Sequence, residues 1–283
     1  MRKILSLIFY LAGSGIPVFN SFSLEGEIQI TGPTRHSLVS EIAVTDAKKS
    51  IWIAWRIQRD LGWHTYWLHP GDVGVPPSVE WSLPGGVTAG SLIFPAPKRV
   101  KMGQIGAHGH HDETLFLCKL SFSDACKLTD GLTIEGKVAW LACSKTCLPG
   151  YANLSLTIPV GEQTKFDDRW KEAFDDFRYK LPIEPPRGWQ IKAYKKGDKF
   201  QLVVPGMGTS FPGLYFFSEG RIVRSNAMQP VRLKNGNWEL EMTQSSWSPE
   251  HVPRLRGLLY RKSGWGVDPN CKFYKLDLPV REI

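Results

Sequence analysis

The run IWIAWRI at residues 51–57 places Ile51, Ile53, Trp55 and Ile57 on one phase of a two-residue period and Arg56 on the other. Such alternation is the pattern of a strand with one face in a core and one in water. It recurs in ETLFLCKLSF (Phe116, Cys118, Leu120, Phe122), in LTIEGKVAWLA (Leu132, Ile134, Val138, Trp140) and in NLSLTIPV (Leu154, Leu156, Ile158, Val160). Turn clusters such as HPGDVGVPP and SLPGG separate the runs. Short strands cut by that punctuation predict a β-sandwich.

Residues 163–179, QTKFDDRWKEAFDDFRY, break the period: Phe166, Trp170, Phe174 and Phe177 recur at helical spacing. The reading is an amphipathic helix docked on a sandwich rather than a cofactor site. Proline-rich LPIEPPRGW then marks a boundary. Strand periods return in KFQLVVPG, LYFFSEGRIV, NWELEMTQ, RLRGLLY and CKFYKLDLPV. The predicted fold is therefore all-β: one sandwich over residues 24–161, a helical connector over 162–185 and a second, smaller sandwich over 186–283. A chain of 283 residues suits two cores, so stability does not require disulfides.

The first residues, MRKILSLIFYLAGSGIPVFNSFS, carry two positive charges, an apolar stretch and then small residues, which reads as a secretory signal over 1–23. Gly13, Gly15 and Pro17 shorten the apolar run below the roughly 20 residues of a membrane span. The mature chain is expected in an oxidising compartment, where cysteine pairs become disulfides unless something reduces them. The formal net charge is +8, but Lys48, Lys49, Lys195, Lys196, Arg254 and Arg256 are scattered among acids, which argues against nucleic acid as a partner.

Two of the five cysteines stand in WLACSKTCLPG, at Cys143 and Cys147. An extended chain would hold their Cα atoms about 13 Å apart, whereas a disulfide needs roughly 4.4–6.8 Å, so the chain must turn between them. A five-residue ring is a poor staple, contributing about 2 kcal/mol in the chain-entropy account. Counting along the strand puts Cys143 on the outward phase, and an exposed cysteine beside Lys145 has electrostatic help towards its thiolate. A redox pair, a structural disulfide and a metal clamp all remain open on these residues. The metal reading draws on His108, His110 and His111 in AHGHHDE, where period two aims His108 and His110 the same way. Cys-x3-Cys is not a usual zinc-knuckle spacing, and a glycine-flanked histidine loop reads first as a polar surface turn, able to tune the cysteines by charge.

Cys118 falls on an apolar phase and reads as a buried thiol. Cys126 is near enough in sequence for a bridge to it if the chain folds back, and Cys271 opens the final strand run. Trp63, Tyr66, Trp67 and Trp81 read as sandwich packing rather than as a lining for the cysteine site.

The segments GWHTYWLHPGDVGVPPSVEW (62–81), FPAPKR (94–99), GAHGHHDETLFL (106–117) and WLACSKTCLPG (140–150) together resemble the periplasmic N-terminal domain of DsbD- and ScsB-type thiol-disulfide interchange proteins. The second half is similar, less distinctively, to the additional β-domain of the ScsB branch. The resemblance implies an immunoglobulin-like domain whose cysteine pair takes electrons from a membrane-embedded thiol reductase. It would pass them to a periplasmic thioredoxin-fold or disulfide-containing protein, with no cofactor. By motif position Cys147 matches the attacking cysteine and Cys143 the resolving one. The family shields this pair with a cap loop carrying an aromatic beside glycine, where this chain offers His108, His110 and His111 around Gly109. His69 stands where the family motif usually has asparagine. The resemblance includes neither a membrane reductase segment nor a thioredoxin-like domain, so a separate membrane protein is expected to supply the electrons. Two rivals stay in view: a β-sandwich binding module with a permanent disulfide, and a copper- or zinc-handling protein using the histidine loop with the thiols.

Overall fold

The computed structural model describes residues 24–283 apart from Asp130, Met207, Thr209, Phe211, Val267 and Asp268. The signal-sequence reading of residues 1–23 lies outside them.

The N-terminal sandwich is built from β1 (Gln29–Thr31), β2 (Thr34–Ser40), β3 (Ile42–Val44), β4 (Ile51–Arg59), β5 (His64–Tyr66), β6 (Ser78–Ser82), β7 (Val87–Ala89), β8 (Lys98–Met102), β9 (Ile105–His110), β10 (Glu113–Phe122), β11 (Leu132–Cys143) and β12 (Cys147–Ile158). One sheet runs β1-β2-β4-β10-β7 and the other β12-β11-β5-β9-β8, with β6 also on β11. The alternating residues interleave between them: Ile53, Trp55, Ile57, Phe116 and Leu120 from one sheet meet Ile134, Val138, Trp140, Leu154 and Leu156 from the other. This is the predicted sandwich, and Cys118 lies within its core.

A polar chain crosses that core. Trp55 Nε1–H donates to His36 Nδ1 at 3.2 Å, which leaves Nε2–H to donate to Thr34 Oγ1 at 2.7 Å. The Thr34 hydroxyl in turn donates to Thr31 O. His36 also lies on the Trp140 ring, with centroids 3.6 Å apart. Burial, reinforced by Arg59, pulls the imidazole down to about 3, so it acts as a neutral acceptor.

The strand pair β4/β10 is less half-buried than its alternation predicts. After β13 (Lys165–Phe166), helix α1 (Asp168–Tyr179) lays Trp170, Phe174 and Phe177 on Val39, Ala54, Leu115 and Leu117, covering the outer face as well. The helix starts where Asp167 caps it: Oδ1 accepts from the Arg169 and Trp170 amides, while Oδ2 accepts from Leu24 N. Phe166, placed in the helical phase by spacing, sits instead in β13 and is exposed.

The C-terminal sandwich contains β14 (Lys192–Lys196), β15 (Lys199–Pro205), β16 (Leu214–Ser218), β17 (Val231–Lys234), β18 (Asn237–Thr243), β19 (Arg254–Arg261) and β20 (Phe273–Glu282), ordered β16-β19-β20-β14-β15-β18-β17. Strand β20 turns the corner: residues 273–279 pair antiparallel with β19, then residues 280–282 pair parallel with β14. The curled sheet encloses Phe200, Phe216, Trp238, Leu240, Leu255 and Trp265. Between the two sandwiches, Trp67 packs on Tyr215, Phe217 and Leu258.

Because the unfolded chain binds a proton at His36 near pH 6.5 and the folded chain only near 3, stability is complete above pH 6.5 and declines as pH falls through that window. Guanidinium unfolding at pH 7, 5.5 and 4.5 is expected to show a falling midpoint, each such imidazole contributing at most about 1.4 kcal/mol per pH unit. A midpoint unchanged down to pH 4.5 would contradict this account.

Candidate functional site

Strands β11 and β12 form a long antiparallel hairpin whose last register pair is Cys143↔Cys147. The turn is Ser144–Thr146, closed by Ser144 N–H donating to Thr146 O at 2.9 Å. This brings the two Cα atoms to 4.1 Å, and the cysteines are joined as a disulfide. Pro149 and Gly150, a pair of residue types common in turns, lie inside β12. Gly150 is needed there because Trp140 lies across from it: a Cβ would fall 2.3 Å from the indole ring.

The outward phase expected for Cys143 holds, but its exposure does not. Cys143 is 0% exposed, because β5, β8 and β9 continue the sheet and a cover folds over this end of its outer face. Tyr66, Val100 and Ala107 bury it, with Val73, Met102 and Leu141 at the margin. Cys147 is partly exposed. Lys145 is exposed at the tip of the turn.

The pairing of β5 with β11, Ala142↔Thr65 and Cys143↔His64, sets what touches the sulfurs. Tyr66, two residues on from His64 and on the same face, donates its hydroxyl to Cys143 Sγ at 3.2 Å and lies 4.0 Å from Cys147 Sγ. Burial raises the phenol above its ordinary pKa, so it remains a donor at neutral pH. Met102 Sδ stands 3.0 Å from Cys147 Sγ. His64 is buried and held neutral, its pKa lowered to about 4 first by burial and then by His111 and Arg59. Behind it, the buried Arg59 guanidinium donates to Thr65 Oγ1, Asp112 O and Thr114 Oγ1. Burial lowers its pKa to about 9, leaving it a cation at neutral pH.

The histidines are not where the sequence reading put them. His108 and His110 are 2% and 5% exposed within β9, not in a surface turn. Ala107 is the β9 residue that packs with Cys143, so alternation points His108 and His110 to the opposite face, away from the sulfurs. His108 Nδ1–H donates to His69 O at 3.3 Å, and Nε2 accepts from the Tyr215 hydroxyl at 3.0 Å. His110 packs edge-on against Phe116. Burial lowers both pKa values, His108 to about 4, so neither carries the charge that would tune the cysteines. Among the described residues no cluster of three or more His, Cys, Asp or Glu is arranged to hold a metal ion, and the histidines do not join the thiols.

The aromatic shield instead comes from β5. Of the four aromatics read as packing, Trp63 and Trp81 do pack on the N-terminal core and Trp67 lies between the sandwiches, but Tyr66 lines the site. No local signal separates Tyr66 from its neighbours, since only the register of β5 on β11 aims it. Cys118 and Cys126 do not bridge: Cys118 donates its thiol to Gly90 O at 3.2 Å, and burial raises that thiol to about 11. Cys271 packs against the C-terminal core.

The family described as "Thiol:disulfide interchange protein DsbD, N-terminal" matches residues 36–159, which take in both sheets except β1 and the start of β2, and the whole hairpin with its disulfide. Residues 36–159 form a DsbD-type N-terminal domain. The crystal structure of the N-terminal periplasmic domain of ScsB from Proteus mirabilis is similar in fold over 92% of this chain and 99% of that one. Its TM-score is 0.66 at 14% identity, and the likeness takes in both sandwiches. Tandem immunoglobulin domains of titin align over 92% of this chain and 98% of theirs, with a TM-score of 0.21 at 11% identity. A comparison with curated proteins finds no match.

In this DsbD-type domain, opening the disulfide by attack at Cys147 leaves a thiolate on enclosed Cys143. Tyr66 is positioned to donate to it. Tyr66→Phe is expected to slow reduction of the bond by dithiothreitol by roughly 10-fold or more, because a hydrogen bond to a charged group contributes about 1.5–3 kcal/mol. Stopped-flow reduction measures it, alongside thermal unfolding to check that the fold is kept. Equal rates would show the hydroxyl to be idle.

Proposed function

We propose that this chain is a periplasmic thiol-disulfide interchange protein, a protein-disulfide reductase component. Reducing equivalents would pass through Cys143 and Cys147, from a membrane-embedded thiol reductase to periplasmic thioredoxin-fold or disulfide-containing proteins. In this reading a signal peptide over 1–23 precedes a redox domain over 24–161, a connector over 162–185 and a second domain over 186–283. Among the described residues no helix is long and apolar enough to cross a membrane.

The observation that carries the proposal is the asymmetry of the pair: within a DsbD-type domain, Cys147 is partly exposed at the hairpin end while Cys143 is enclosed under Tyr66. In the reduced protein the Cys147 thiolate attacks one sulfur of a partner disulfide, and the other partner sulfur leaves with the electron pair. Cys143, as thiolate, then attacks Cys147 Sγ, the intramolecular bond re-forms, and the partner's second sulfur departs reduced. Two electrons have moved to the partner, and a donor dithiol returns them by the reverse steps. Lys145, in the turn between the cysteines, adds positive charge where an incoming thiolate approaches.

Enclosure of Cys143 is also what a permanent structural bridge would show, in a binding module of two sandwiches. The reduction potential separates the two readings: an exchanging couple lies above about −300 mV and a structural bridge below it. Equilibration with glutathione or dithiothreitol buffers measures this, and the value is expected above that limit. In parallel, Cys143→Ala is expected to leave Cys147 holding a mixed disulfide with a thioredoxin-fold protein, visible on non-reducing gels and lost with Cys147→Ala. A potential below the limit together with no trapped partner would reject the proposal.

A further inference from the structure

Two separate pieces of chain cover the disulfide, and Ser225 of the C-terminal sandwich holds both, with Ser245 on one and Asn226 on the other. One piece is the loop after β5, which carries Val73; the other is the β8–β9 hairpin, which carries Met102. Asp72 in the loop donates its amide to Ser225 Oγ at 3.0 Å, and its carboxylate accepts from Ser225 N at 2.9 Å and from Ser245 Oγ at 2.6 Å. Gly106 in the hairpin donates its amide to Asn226 Oδ1 at 2.7 Å, and its carbonyl accepts from Ser225 Oγ at 2.8 Å. Ser225 Oγ also lies 3.2 Å from Asp72 Oδ2, so its single hydrogen is shared between loop and hairpin.

The fit leaves no slack. Gly71 has φ +93°, and a Cβ on it would lie 2.4 Å from the Ser225 side chain; one on Gly106 would lie 3.1 Å from Asn226 Oδ1. Close by, Gly220 N–H donates to His69 Nδ1 at 3.2 Å and the Tyr215 hydroxyl donates to His108 Nε2. His69, which stands where the resembled family usually has asparagine, is thus part of this seam.

We propose that the C-terminal sandwich positions the cover over Cys143–Cys147, with Ser225 and Asn226 as the grip and Asp72 and Gly106 as the points gripped. None of these residues touches a sulfur. They act through Val73 and Met102, and so set how often a thiol can reach Cys147. The inference rests on the reading of this pair as the exchanging couple.

The test uses the full chain with Ser225→Ala and Asn226→Ala combined. Met102 oxidation by dilute peroxide, followed by mass spectrometry, reports opening of the cover directly. Met242 at 0% exposure and Met228 at 83% serve as internal standards for a kept fold and for free access. Loss of these hydrogen bonds is expected to speed Met102 oxidation roughly 5- to 20-fold while Met242 stays protected. Reduction of the disulfide by dithiothreitol should accelerate by a similar factor. Wild-type rates for both Met102 and the disulfide, with Met242 protected, would overturn the proposal. If Met242 also becomes reactive, Asp72→Asn, which weakens the grip from the N-terminal side, decides by the same two rates. The Met102 result stands without any redox function, whereas failure of the wild-type protein to exchange with any thioredoxin-fold protein would reject the functional reading alone.

Discussion

Two register pairs, Ala142↔Thr65 and Cys143↔His64, seat Tyr66 over the sulfurs and start the extension of the sheet through β9 and β8. Slipping β5 by one residue would turn Tyr66 to the other face, since side chains alternate, and would carry β9 and β8 with it. A short strand of three residues cannot hold its register by ladder hydrogen bonds alone. The buried Arg59 guanidinium supplies the rest by spanning Thr65, Thr114 and the Asp112 carbonyl, which ties β5 to the start of β10. A guanidinium in this place costs desolvation, and its donors are satisfied by neutral acceptors rather than by a carboxylate. Such a group specifies one arrangement more than it adds stability.

On the proposed reading the disulfide is placed for chemistry rather than for strength. A ring of five residues constrains the unfolded chain little, about 2 kcal/mol, beside cores as large as those of the two sandwiches. What the hairpin end provides is inequality between two bonded sulfurs. One is shut in with a phenol hydroxyl as its polar neighbour, and the other is bordered by the thioether of Met102. On that reading an attacking thiol meets Cys147 first, and the electron pair is delivered to Cys143.

The sandwiches were legible in the sequence because alternation is a local property: Ile53, Trp55, Phe116, Ile134 and Trp140 face the core as their phase requires. So was the helix, whose Trp170, Phe174 and Phe177 pack where their spacing put them. Phase also gave the face of Cys143. Exposure failed, because whether a face meets water depends on which strands and loops arrive from elsewhere, and β5, β8 and β9 are too short to announce their positions. The histidines failed for the same reason. AHGHHDE has the composition of a turn, yet β9 is buried between the N-terminal core and the second sandwich, so His108 and His110 became neutral interior groups. Tyr66 and Met102 carry no motif at all.

The contacts between the two sandwiches join residues far apart in the chain; Asp72 and Ser225 are separated by 153 positions. A chain made from its N-terminus completes the hairpin with both cysteines well before Ser225 exists, and domains generally fold as units in that order. If the second sandwich positions the cover as proposed, the sulfurs of a growing chain could be joined by an external oxidant before that cover is fixed. On that proposal the order of synthesis would separate making the bond from guarding it.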